Sequence, residues 1–133
     1  MRQITRSTGV FPMYANLRSG NFMRKAGLFM EVVATYRKHG WELRTALLQP
    51  ATRIELESEE PGLLNNVAVR EAEVDALWFS RPSHNKRDAW ELRLLAQTPY
   101  ALFETFEPEK TEAERDEVRQ EMEARMRDYA ANK

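Results

Sequence analysis

Cysteine is absent from the 133 residues, which excludes disulfide frameworks, thiolate metal sites and a cysteine nucleophile and fits a reducing compartment. Glycine is scarce: its five residues each stand alone, so there is no glycine-rich loop of the kind whose amides cradle phosphate. The two histidines, His39 and His84, have no acidic residue at a metal-ligand spacing, so neither a metal site nor another cofactor is expected. Long apolar runs are also missing. Nowhere do about 18 apolar residues follow one another, and the N-terminal residues lack the apolar stretch of a signal peptide. The expectation is a cytoplasmic protein without a membrane partner.

What is present describes one soluble domain: 42% hydrophobic and 31% charged residues, on a chain long enough to bury its own core. The net charge of −1 hides an uneven distribution. Residues 1–53 hold nine Lys or Arg against Glu31 and Glu42, which is +7, and residues 54–133 hold eleven against nineteen acids, which is −8. A basic half can attract nucleic acid, with Arg18, Arg24, Lys25, Arg37, Lys38 and Arg44 on the backbone and Tyr14 and Trp41 as stacking groups. A pI of about 6.2 for the whole chain weighs against that partner. The acidic half can instead complement the basic half, within the chain or across a homodimer.

Apolar spacing orders the elements. Residues 10–14 place apolar side chains around Pro12, which suits an edge strand or a loosely ordered arm within residues 1–19. A helix is expected over residues 21–39, where Phe22, Ala26, Phe29, Val33 and Tyr36 share one face. Arg37, Lys38 and His39 suit its C-terminal dipole, and Gly40 can take the left-handed C′ position. In residues 41–48, Trp41, Leu43, Thr45 and Leu47 alternate with Glu42, Arg44 and Ala46, the pattern of a strand with those two faces, ended by Pro50. Residues 53–57 fit a short strand or a helical turn, and residues 58–66 read as a long surface loop.

A three-strand meander follows, over residues 74–81, 88–96 and 100–106. Both faces of its first strand are partly apolar, which predicts an interior strand covered on two sides. The motif Trp-Glu-Leu-Arg occurs twice, at Trp41 and at Trp90, but the match does not extend into the flanks and reads as a shared strand pattern rather than a repeat. The chain closes with a helix over residues 111–130, opened by a Thr111/Glu114 capping box and carrying a narrow stripe of Val118, Met122, Met126 and Tyr129. Such a helix can lie across its own sheet or pair with another subunit.

These elements predict an α+β domain in which an antiparallel sheet of four to five strands packs on the N-terminal helix, with a C-terminal helix added. That order resembles the general plan of cystatin-like folds, and the added helix is similar to that of small secretion-chaperone folds, a likeness of plan that implies no activity.

No catalytic residue is assigned. The polar residues that the core does not explain are Arg81, His84, Lys86 and Arg87 on the hairpin between the first two meander strands, and Glu104 in the third. The hairpin cations suit an anion such as phosphate or a carboxylate. Two functional expectations follow. One is a non-enzymatic protein-interaction module that forms a homodimer and binds another protein. The other is a small-molecule-binding protein or enzyme whose pocket lies between the sheet and the first helix.

Overall fold

The meander forms as β4 (Ala76–Pro82), β5 (Asp88–Leu94) and β6 (Tyr100–Phe106) in a computed structural model that describes Gln3–Arg6 and residues 24–132. Residues 10–14, read as an arm or edge strand, lie outside that range. Earlier in the chain come β1 (Gln3–Arg6), α1 (Lys25–Lys38), β2 (Glu42–Leu48), α2 (Pro50–Glu59) and β3 (Val69–Glu71), and α3 (Glu112–Ala131) closes it. The sheet order is β1-β6-β5-β4-β2-β3.

The domain is α+β as expected, with two changes. The sheet is mixed rather than wholly antiparallel, because β3 runs parallel to β2, pairing Ala46 with Val69 and Leu48 with Glu71. Residues 53–57, open between strand and helix, are helical: Pro50 stands at the first turn of α2, where its missing N–H costs nothing, and so ends β2 and starts the helix together. A helix between β2 and β3 is what a parallel crossover requires. The loop read over residues 58–66 therefore begins only after Glu59, and turns with Gly62 at φ +88°.

Alternation in β4 sets the layers. Leu77 and Phe79 point to α1, where they pack with Phe29, Val32, Val33 and Tyr36; Ala76 and Trp78 point to α3, where they meet Met122 and Met126. The sheet is therefore covered on both faces, as the two partly apolar faces of β4 predict. Tyr36 stacks on Phe79 at 3.9 Å between centroids and donates its hydroxyl proton to Glu91 Oε2 at 2.5 Å, which satisfies a carboxylate buried under α1. Arg93, on the same face and fully buried, donates from Nη1 to the carbonyls of Leu94, Ala96 and Thr98 and so ties down the turn into β6. Gly40, at φ +88°, ends α1 in the left-handed conformation expected of it.

The apolar stripe of α3 is used on its own sheet. Met122 and Met126 are buried there, and Tyr129 stacks on Tyr100 at 3.6 Å. The Thr111/Glu114 capping box is formed in both directions, at 3.1 Å and 2.9 Å. The two Trp-Glu-Leu-Arg segments face opposite ways: Trp41 packs toward α1 and Trp90 toward α3.

Candidate functional site

The strand β2 departs from simple alternation in a way that builds a site. Leu43 pairs with Phe79 and Thr45 with Trp78, so Arg44 is an extra residue in the ladder, a β-bulge. The bulge splits the face expected to carry Trp41, Leu43, Thr45 and Leu47. Trp41 and Leu43 pack toward α1, whereas Thr45 and Leu47 join the α3 side and Ala46 and Leu48 take their place under α1. Arg44 is turned to the α3 side as well, where its Nε donates to Ser80 Oγ at 2.7 Å and its guanidinium pairs with Glu42 at 3.2 Å. Bulges commonly re-aim side chains beside binding sites.

From α3, Asp116, Arg119, Gln120 and Glu123 face the same region, at the i, i+3, i+4 and i+7 spacing of one helical face. Together with Thr45, Arg70, Trp78 and Trp90 they line a cavity of about 390 Å³ between α3 and four strands of the sheet. Its interior is highly organised. Glu123, nearly buried, accepts from Trp78 Nε1 at 2.8 Å and from both Nη atoms of Arg70, at 3.2 and 2.6 Å. This fork raises the arginine above its ordinary pKa, the hydrogen bond to Glu123 being the largest cause. Trp78 and Trp90 stand edge to face, 5.8 Å apart and 77° inclined. Over Trp90, at 4.5 Å, lies the guanidinium of Arg119, which pairs with Glu112 at 2.5 Å and more loosely with Asp116 at 3.6 Å.

The residues singled out in the sequence are dispersed. Arg81 lies over the Trp41 ring at 4.7 Å and donates to the carbonyl of His39, so it closes the end of α1. His84 and Lys86 are exposed on the hairpin, in a 3₁₀ turn where Asn85 (φ 58°) and Lys86 (φ 63°) are both left-handed. Arg87 reaches the other way, to Glu107 at 3.1 Å. These four therefore surround no common point. Glu104 stands opposite Trp90 in the β5–β6 register, on the sheet face that carries the cavity. The residues that sequence reading missed are Thr45, Arg70, Arg119 and Glu123. The polar spacing on α3 was a legible signal for two of them; the bulge and the parallel β3 were not.

Other concavities lie among the described residues. One of about 590 Å³ lies at the C-terminal end of α3, where Asp75 is already engaged by Gln49 and Thr52 at the start of α2. A smaller one, about 240 Å³, runs along α1 between Met30, Leu43, Leu63 and Val67. Among the described residues no cluster of three His, Asp or Glu side chains could hold a metal ion, and no helix is long and apolar enough to cross a membrane. No protein-family model, curated protein or solved structure matches the chain.

Proposed function

We propose that this protein is a non-enzymatic binding protein that holds a small ligand between α3 and the sheet. One observation carries the reading. The cavity of about 390 Å³ is walled by two tryptophans and furnished with two arginines whose positions are set in advance by carboxylates and an indole face. Ligand sites combine apolar walls with a few fixed polar anchors at this scale of volume, and side chains ordered before binding lose little entropy on binding. At the cavity Arg70, Arg119, Gln120, Glu123 and the Trp78 indole are engaged in hydrogen bonds that position them, and both histidines stand elsewhere, His39 at the end of α1 and His84 on the hairpin. That arrangement favours recognition over proton transfer.

This reading moves the expected pocket from the α1 side of the sheet to the α3 side. It also ranks above self-association, because the apolar seam of α3 is buried on its own sheet and the large exposed hydrophobics among the described residues are only Met30 and Ile54. A fragment screen read on the tryptophan indole N–H resonances tests it. Binding fragments are expected to move the signals of Trp78 and Trp90 and leave Trp41 in place. A screen whose binders all act through Trp41 and α1, or that finds none, would overturn the proposal.

A further inference from the structure

The two arginines of the cavity are held in opposite ways. In the Arg70–Glu123 pair the carboxylate is the sheltered member, 11% exposed against 53% for the arginine, and it also carries the Trp78 indole. That acid is part of the framework. In the Arg119 cluster the guanidinium is the sheltered member at 12%, while Glu112 and Asp116 are 78% and 57% exposed.

Glu112 reaches Arg119 from seven residues earlier in the helix, two turns away, and makes the short hydrogen bond; Asp116, at 3.6 Å, contributes charge alone. A carboxylate so exposed returns to water at little cost when released. Arg119, packed on Trp90, keeps its place and its in-plane N–H donors.

Resting on the pocket reading above, we infer that the ligand is a small organic acid with a flat apolar body, whose carboxylate takes the position of Glu112 on Arg119 while the body lies against Trp78 and Trp90. Glu112 is then an internal competitor that occupies the anion position until the ligand displaces it. The bidentate geometry available to a carboxylate on a guanidinium matches the donors that Arg119 presents.

Benzoate and its neutral analogue benzamide, titrated into the wild-type protein and a Glu112→Gln variant, separate the possibilities. The variant leaves the Thr111/Glu114 capping box intact. Benzoate is expected to shift the Trp90 indole signal in both proteins, with a Kd about three-fold tighter in the variant, as removal of one exposed ion-pair competitor implies. Benzamide should bind more weakly than benzoate and equally to both proteins. Equal benzoate affinity in the two proteins, or benzamide binding as well as benzoate, overturns the inference. So does the absence of any benzoate shift. Neutral fragments that still moved Trp78 and Trp90 would then leave the pocket reading standing, whereas silence from every fragment would remove both.

Discussion

The two faces of the sheet are built from alternate residues of the same strands, and they are chemically unlike. Under α1, Leu77 and Phe79 meet Val32 and Tyr36 in a layer whose members are almost fully buried, and the buried charged groups on that face, Glu91 and Arg93, are bonded to the Tyr36 hydroxyl and to the carbonyls of the turn into β6. Under α3, apolar contact runs along Val118, Met122, Met126 and Tyr129, and beside it a polar row of Asp116, Arg119, Gln120 and Glu123 faces Trp78, Trp90 and Arg70. A close-packed layer stabilises by area removed from water. A layer of engaged polar groups contributes less net stability but leaves shaped, charged space. The comparison teaches that α1 holds the fold and α3 lines the candidate site.

The largest expected effect tests the α1 side. Phe79→Ala removes a fully buried ring stacked on Tyr36 and should cost about 3–5 kcal/mol in denaturant unfolding. A loss below about 1 kcal/mol would mean that α1 is not the main anchor.

The next probes the polar side. Glu123→Ala strands the Trp78 N–H and deprives Arg70 of its partner, with an expected cost of about 1–3 kcal/mol, because an unsatisfied buried donor pays its desolvation in full. The same variant should move the Trp78 indole resonance and leave that of Trp41 unchanged. Movement of both would show the two faces to be coupled.

The smallest effect concerns only the end of α3. Hydrogen bonding from the Thr111 backbone N–H, then its side chain, holds the Glu114 carboxyl below the ordinary glutamate value. Its folded pKa is thus lower than its unfolded one, so its contribution is complete above about pH 4.3 and is lost as the pH falls through the folded value. The thermal midpoint should drop over that acidic window, and by less in Glu114→Gln. An identical drop in the variant would assign the acid sensitivity to other carboxylates.

Much of this architecture was legible one element at a time. The α1 stop at Gly40, the capping box of α3 and the two-sided burial of β4 all follow from local spacing and local hydrogen bonding. The candidate site was far less so. Glu104 stands on the sheet face that carries the candidate site, whereas the hairpin cations are close in sequence alone. In three dimensions Arg81 and Arg87 leave that hairpin in different directions, toward His39 and toward Glu107. The uneven charge of the two halves likewise predicted mutual pairing. Among the described residues, Arg115–Asp88 and Arg70–Glu123 are ion pairs formed within the acidic half.

Apart from β2, where the bulge intervenes, the sequence by itself determined which side chains each strand offers to each face, because a period of two is a property of the extended backbone and needs no partner. It likewise determined where α1 ends and where α3 begins, since capping is settled within a few residues. Only the tertiary structure decided which residues meet. The bulge at Arg44 arises from pairing β2 against β4, and it turns Arg44 and Thr45 to the same side. The parallel crossover through α2 carries Arg70 across to Glu123, 53 residues away in sequence. Both depend on register between separate strands, which no local pattern encodes.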